Sequence, residues 1–109
     1  MSFKTQTPDF IAELRYLTTE EGGRRTPANS GYRPHVKFPF SEMLTSGQQT
    51  FIGRDSVKPG ETIKAEIMIL SPHFFENMLE VGMEFEVGEG QHVVAIGKLL
   101  EILNKDLRK

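Results

Sequence analysis

Residues 17–38 read LTTEEGGRRTPANSGYRPHVKF, a polar connection with hardly any apolar run. It lies between two segments that have the residue pattern of β-strands. Loops of this length inside compact domains are uncommon, and they are usually either functional or disordered. The stretch therefore bears on both the fold and the location of a functional site.

The segments around this connection alternate apolar and polar residues with the period of two that is typical of strands. Residues 9–17, DFIAELRYL, form the first candidate, and residues 35–40, HVKFPF, form the second, where Pro39 indicates a sheet edge or a strand end. Residues 49–54, QTFIGR, are a shorter candidate. The clearest unit is SVKPGETIKAEIMIL at 56–70, in which a Pro59-Gly60 turn precedes a regular alternation.

The C-terminal part of the chain continues in the same way. Residues 83–103, MEFEVGEGQHVVAIGKLLEIL, predict a strand, a turn at 88–91 and a longer closing strand. Helical spacing occurs in PHFFENMLEVG at 72–82, which is short enough to form a single turn. Five or six short strands predict a small antiparallel barrel or sandwich. The expected core residues are Phe10, Leu14, Val36, Phe38, Ile63, Ile67, Phe85, Val94 and Ile96.

Length and composition restrict the class of protein. A chain of 109 residues predicts one domain, 1–109, and we expect 1–8 and 104–109 to be frayed ends. The sequence has no cysteine, which excludes disulfides and thiolate metal sites. The N-terminus lacks the apolar core of a signal peptide, and no apolar run reaches membrane-spanning length. We therefore expect a soluble, cytoplasmic protein without a membrane partner.

The residues that could carry catalysis give no enzyme signature. His35, His73 and His92 lie far apart and lack the paired spacing of a zinc site, and no serine has the context of a nucleophile elbow. The Gly88–Gly90 stretch is too short for a phosphate-binding loop, and a hairpin turn explains it better. Glu84 and Glu86 would share the solvated face of a strand. We expect no catalytic activity, metal, cofactor or small-molecule substrate.

Charge is distributed unevenly along the chain although the net charge is only −2. Residues 24–37 contain four basic side chains, with one tyrosine and one histidine between them and no acidic residue. Residues 76–89 contain only acidic charges. The basic stretch suits a phosphate backbone, because guanidinium groups bind phosphate in a bidentate way. The alternative is that these charges only solubilise a loop or pair with Glu20, Glu21 and the acidic segment.

The 17–38 stretch closely resembles the segment that opens the third, C-terminal domain of bacterial and organellar elongation factor Tu. In that family a strand ends in Leu-Thr, followed by Glu-Glu-Gly-Gly-Arg, a basic residue, Thr-Pro, three variable residues and Gly-Tyr-Arg-Pro. The resemblance resumes at 57–70 and 85–103 and extends from about residue 9 to residue 103. The matching residues are Leu17-Thr18, Glu20-Glu21-Gly22-Gly23-Arg24, Arg25, Thr26-Pro27 and Gly31-Tyr32-Arg33-Pro34, without a gap.

This resemblance implies a six-stranded antiparallel Greek-key β-barrel, present here as a stand-alone protein, in which the long polar connection is an ordered loop. The family's domain helps to hold the T-stem of aminoacyl-tRNA, packs on the nucleotide-binding domain and contacts the exchange factor. Carried over to this sequence, and joined with the basic stretch, it implies an RNA- or partner-binding set. The set is Arg24, Arg25, Tyr32, Arg33, His35, Lys37, Thr45, Glu89 and Gly90.

The sequence also departs from the family's pattern. It has no Gly-x-x-x-x-Gly-Lys-Ser/Thr loop, so this chain has no GTPase motif. Basic residues of the family are replaced by Gly88 and by Gln91-His92, and the family's Gln after Arg-Pro is His35. The 72–82 segment is longer than the family's loop. Its apolar residues, Phe74, Phe75, Met78 and Leu79, must in part pack inward, and the exposed remainder would form a protein-contact patch.

Two functional hypotheses follow. The first is a non-catalytic binding module that binds tRNA or another translation component through the retained basic loop. The second is a protein-interaction or decoy module that does not bind RNA. Its partner would be the exchange factor, a toxin that recognises the elongation factor, or a second copy of the chain.

Overall fold

The computed structural model describes residues 7–109, and within them the protein is a closed antiparallel barrel with a small additional sheet. The barrel closes in the order β1-β6-β4-β3-β7-β8, and β2 pairs with β5 outside it. Every pairing of strands is antiparallel. The strands are β1 (Phe10–Tyr16), β2 (Ala28–Asn29), β3 (His35–Lys37), β4 (Leu44–Phe51), β5 (Ser56–Val57), β6 (Thr62–Ile69), β7 (Glu84–Glu89) and β8 (His92–Ile102).

The strand order explains the long connections. β3, β4 and β6 are successive neighbours, but β1 lies beside β6, so residues 17–34 must pass across the barrel before β3 begins. This is a Greek-key crossover, as the resemblance implied. Residues 70–83 make a second crossover, from β6 to β7. Both crossovers require a long stretch of chain because they pass over two strands rather than joining neighbours.

The alternation of strand direction sorts the connections between two ends of the barrel. Residues 17–34, 52–61 and 90–91 lie at one end, here called the loop end. Residues 38–43, 70–83 and 103–109 lie at the other, here called the apolar end. The two ends carry different kinds of side chain, as shown below.

The period-two pattern correctly predicted the core of most strands. Alternate side chains of β1 and β6 are buried, and eight of the nine expected core residues are at most 5% exposed. Ile96 is the exception: it is half-buried and lies opposite Glu86, whose side chain is exposed. The register of β7 and β8 shifts between Val87 and Gly88, so Val94 and Ala95 are both buried and the alternation predicted for β8 is broken.

Two glycines allow close packing inside the barrel. A Cβ atom on Gly97 would overlap the ring of Phe85, and one on Gly47 would lie 2.6 Å from Cγ2 of Val36. Gly47 belongs to the part of β4 that the sequence did not predict, because LTSGQ looks like a loop in composition. Because Gly47 has no side chain, there is room inside the barrel for the side chain of Val36 on the neighbouring strand β3. β4 therefore begins at Leu44 rather than near Gln49.

The C-terminal residues are packed, which corrects the prediction that 104–109 fray. Lys105–Leu107 form a 3₁₀ turn, and Leu107 is fully buried. The Leu79 amide donates to the Leu107 carbonyl at 2.8 Å, and the Lys109 amide donates to the Leu79 carbonyl at 2.8 Å. At the other terminus, residues 1–6 of the predicted frayed segment lie outside the described residues, and Thr7 and Pro8 form no strand.

The helical spacing at 72–82 corresponds to a second 3₁₀ turn, Pro72–Phe75. Within residues 7–109, neither turn has the length or apolar character that a membrane-crossing helix requires.

Candidate binding site at the loop end

The first part of the 17–34 connection is fastened by reciprocal hydrogen bonds. The Thr18 amide donates to the Glu21 carboxylate at 2.8 Å, and the Glu21 amide donates to the Thr18 hydroxyl at 3.0 Å. This arrangement is that of a capping box, used here to close a turn rather than a helix. The hydrogen bond from the Thr18 amide is the largest of the causes that lower the pKa of Glu21. The Thr19 hydroxyl then donates to the Arg24 carbonyl at 2.7 Å, which extends the fixed geometry to the first arginine.

The second part of the connection is held by the neighbouring 52–61 loop and by β4. β2 pairs with β5 through Ala28 opposite Val57, and both of these side chains are buried. The Ser30 amide donates to the Asp55 carbonyl at 2.7 Å, and the Gly31 amide donates to the Gln49 carbonyl at 2.7 Å. These strands are too short to be predicted from a sequence pattern. They fix the polar connection as an ordered segment at the loop end of the barrel.

Arg24, Tyr32 and Glu89 form a polar cluster that joins the connection to the end of β7. The Arg24 guanidinium and the Tyr32 hydroxyl both donate to the Glu89 carboxylate, and the guanidinium carbon lies 4.7 Å from the centre of the Tyr32 ring. Arg24 also donates to the Pro27 carbonyl at 3.2 Å. Burial, and then the bond to Glu89, raises the pKa of Tyr32. These three predicted binding residues are therefore brought together, but their polar groups are used to hold the loop.

A buried pair lies near this cluster inside the barrel. The Tyr16 hydroxyl donates to the Gln49 side-chain carbonyl, and both residues are at most 1% exposed. Burial raises the pKa of Tyr16, and the neighbouring Tyr32 raises it further. Gln49 was not predicted as an interior residue, since a glutamine in a strand is normally solvated. The alternation from Thr45 through Gly47 to Phe51 would have placed it inside.

An open groove of about 370 Å³ lies between the connection and the turn after β7. Arg25 lines it and is exposed, and no carboxylate of residues 7–109 lies within ion-pair distance of its guanidinium group. A fixed loop thus presents an unpaired guanidinium group beside a groove, which is an arrangement suited to a phosphate oxygen. The lining residues are Thr19, Gly22, Gly23, Arg24, Arg25, Glu89, His92 and Val94. The sequence prediction did not include Thr19, Gly22, Gly23, His92 or Val94 in the site.

The remaining basic residues of the predicted set lie on the barrel wall. Arg33 is exposed and donates to the Gln48 side-chain carbonyl at 3.0 Å, beside a groove of about 230 Å³. Lys37 lies 3.9 Å from the Glu42 carboxylate and opposite Glu86. Of these two residues, only Arg33 has a charge without an acidic partner in the described chain.

His35 and Gly90 lie at the surface, whereas Thr45 does not. His35 is half-buried opposite Gly88, where a Cβ atom would meet its imidazole ring, and Gly90 is exposed in the turn between β7 and β8. The side chain of Thr45 is 6% exposed and faces the barrel interior. Its inclusion in the predicted binding set was wrong, because the unpredicted start of β4 places it on the core face.

The predicted protein-contact residues divide between core and surface. Phe75 and Leu79 are at most 1% exposed and belong to the core, so their inclusion in a contact set was wrong. Phe74 and Met78 are 54% and 44% exposed.

The structure also bears on metal binding. Within residues 7–109, no three histidine, aspartate or glutamate side chains come together as metal ligands.

The strand order, the crossover and the GGRRTP and GYRP sequences together point to one family. Residues 3–103 match the family model described as the elongation factor Tu C-terminal domain. The chain belongs to this family. The match covers every strand of the barrel and all three connections of the loop end. It confirms the resemblance seen in the sequence. The elongation factor Tu C-terminal domain is the barrel of that factor and not its nucleotide-binding domain.

Proposed function

We propose that this chain is a non-catalytic binding module of the translation-factor type, and that its loop end binds the phosphate backbone of RNA. The observation that carries the proposal is the exposed guanidinium group of Arg25. It lies beside the loop-end groove without a carboxylate partner in the described chain. Membership of the elongation factor Tu C-terminal domain family supports a translation component as the class of ligand.

The fixed geometry of the loop favours binding. The hydrogen bonds of Thr18, Thr19 and Ser30 hold the connection in place before any ligand arrives. A site that is already ordered loses less conformational entropy when it binds. A guanidinium group can donate two parallel hydrogen bonds to one phosphate, which gives orientation as well as affinity. Arg33 supplies a second unpaired positive charge on the adjoining wall.

Arg24 has a different role in this proposal. Its charge is balanced by Glu89, and its guanidinium group is partly covered by the Tyr32 ring. It positions the loop that presents Arg25, and it is not itself free to bind a phosphate. Reversal of the Arg24 charge would therefore disturb the loop, and a test of RNA binding should use Arg25 and Arg33.

The test is the affinity of the full chain for labelled aminoacyl-tRNA, measured by fluorescence anisotropy at several salt concentrations. We expect binding that weakens as salt increases, because binding to phosphates releases counterions. The Arg25→Glu/Arg33→Glu variant should lose most of this affinity and reduce the salt slope by about 2 if both side chains contact phosphate. The Lys105→Glu/Lys109→Glu variant, which makes the same charge change at the apolar end, is the matched control. Absence of salt-dependent binding, or equal loss in the control, would contradict the proposal.

A protein-interaction module is the second candidate, and one observation favours it. Large apolar side chains are exposed at the apolar end, which is the end of the barrel opposite the groove that Arg25 lines. Specific protein interfaces have such apolar centres, whereas RNA surfaces do not require them. Binding of a protein partner together with failure to bind tRNA at low salt would support this candidate against the first.

A further inference from the structure

The exposed large hydrophobic side chains are concentrated at one end of the barrel. Among residues 7–109, seven of the eight lie on the apolar end or directly beside it, and the eighth, Ile52, lies at the loop end. Soluble monomers rarely expose apolar side chains in such a concentration unless the surface has a partner. The seven are Phe40, Met43, Leu44, Leu70, Phe74, Met78 and Val81, with exposed fractions of 43 to 74%.

This surface is fixed by the core beneath it. The Phe40 ring stacks on Phe38 with 5.6 Å between centroids, and it lies 6.4 Å from the Phe75 ring. Phe38 and Phe75 are both fully or almost fully buried. The 38–43 and 70–83 connections are thus joined by aromatic contacts, so the exposed side chains between them belong to one ordered surface.

The rim of this surface carries unpaired charges of both signs. Glu76 and Glu80 lie on the 70–83 connection, whose Leu79 is hydrogen-bonded to the C-terminal residues that carry Arg108 and Lys109. Within the described chain none of these four side chains forms an ion pair. Glu76 and Glu80 would repel an acidic partner or a nucleic acid, and the two cationic residues would repel a basic partner. A second copy of the chain carries both signs, so its basic residues can face the acidic residues of the first copy.

We propose that the apolar end is the interface of a homodimer, in which a second copy of the chain packs end to end about a two-fold axis. A two-fold interface uses the same patch on both copies, and a rim of mixed sign lets acidic residues of one copy face basic residues of the other. The apolar centre supplies the free energy of association by removing these side chains from water. Both loop ends then point away from the interface and stay accessible. The inference gives the protein-interaction candidate a specific partner and does not depend on RNA binding.

The test is the molecular mass of the full chain by sedimentation velocity over a range of protein concentrations. We expect the mass to rise with concentration towards twice the 12.3 kDa of the monomer. The Phe74→Glu/Met78→Glu variant should raise the dissociation constant by more than about tenfold, since truncation or charge at the centre of an interface has the largest effects. Ile52→Glu, at a side chain that is 45% exposed at the opposite end, is the matched control and should leave the dimer unchanged.

A charge-reversal series distinguishes a specific interface from nonspecific hydrophobic association. Glu76→Lys/Glu80→Lys makes these four rim positions all basic and should weaken the dimer by electrostatic repulsion. Addition of Arg108→Glu/Lys109→Glu to that variant restores a rim of both signs and should recover association. A circular dichroism spectrum for each variant shows that it is folded. A wild-type chain that stays monomeric, a dimer unaffected by Phe74→Glu/Met78→Glu, or no recovery in the fourfold variant would overturn the proposal.

Failure of this proposal and failure of the RNA proposal give different results. A monomeric chain that still binds aminoacyl-tRNA would contradict the dimer proposal and leave the RNA proposal intact. A dimer that does not bind tRNA would contradict only the RNA proposal.

Discussion

The two crossovers of this barrel are held by different interactions, although each spans two strands. Residues 17–34 are fastened at the loop end by backbone and side-chain hydrogen bonds and by the contacts of Arg24 with Glu89 and Tyr32. Residues 70–83 are fastened at the apolar end by burial of Phe75 and Leu79 against the rings beneath and the C-terminal residues. The crossover that is held by polar contacts exposes guanidinium groups at the loop end. The crossover that is held by apolar packing exposes hydrophobic side chains at the apolar end.

This comparison predicts that the largest loss of stability will come from the apolar end. Phe75→Ala removes a buried ring that lies 5.1 Å from Phe38, and we expect the free energy of unfolding to fall by about 3–5 kcal/mol. Urea denaturation of the variant measures this change. Ile52→Ala is the control, because that side chain is 45% exposed at the loop end, and it should change stability by less than about 0.5 kcal/mol. Equal losses in the two variants would contradict the assignment of Phe75 to the core.

At the loop end the expected effect is smaller, because the interacting groups are partly solvated. The Arg24 and Glu89 side chains are 19% and 41% exposed, which reduces the value of their ion pair. We expect a double-mutant cycle of Arg24→Ala and Glu89→Ala to give a coupling free energy of about 1–2 kcal/mol. Amide hydrogen exchange should increase in 17–34 and not in 70–83. Additive effects of the two substitutions would show that the pair does not hold the loop.

The raised tyrosine pKa values predict a loss of stability in alkaline solution. An unfolded tyrosine ionises near its ordinary pKa of 10.0, whereas Tyr16 and Tyr32 keep their protons in the folded protein. Above pH 10 the folded state therefore binds more protons, and stability must decrease as pH rises. Tyr32→Phe should make this decrease less steep, since only Tyr16 then contributes. Unfolding curves at a series of pH values measure the slope, and an unchanged slope in Tyr32→Phe would contradict the half-buried position of Tyr32 and its bond to Glu89.

The smallest effect is expected at the exposed turn that begins the loop. The pKa of Glu21 is lowered chiefly by the Thr18 amide, so its ionised form stabilises the folded state. That stabilisation is present above the ordinary pKa of 4.5 and is lost as pH falls through the lower folded value. Glu21→Gln should remove this part of the acid dependence. Glu20→Gln is the neighbouring control, and a similar change in both variants would contradict the role of the Thr18 bond.

Most of the fold could be predicted from the sequence because period-two alternation directly reports which face of a strand is buried. The signal failed where the barrel departs from regular pairing. The register shift beside Gly88 placed Ile96 outside, and a strand start made of Leu44, Thr45 and Gly47 had no strand-like composition. Packing of Leu107 against the end of the barrel depends on contacts distant in sequence, so 104–109 looked like a free end.

Less of the candidate site could be predicted. Charge and resemblance pointed to the 17–38 loop, but they could not show that Arg24 is balanced by Glu89, which lies 65 positions away, while Arg25 is not. Adjacent arginines are indistinguishable in the sequence, and only the turn geometry directs one inward and the other outward. The same applies to Phe74 and Phe75, which are neighbours in the chain with opposite environments.

We propose that the loop end of this chain binds RNA and that the apolar end does not. The most direct measurement is a ¹H–¹⁵N NMR titration of the full chain with aminoacyl-tRNA at low salt. We predict shift changes and line broadening first at residues 22–25, 33 and 89–92, with residues 40–43 and 72–81 unaffected. Changes confined to the apolar end, or no changes at any residue, would contradict the account.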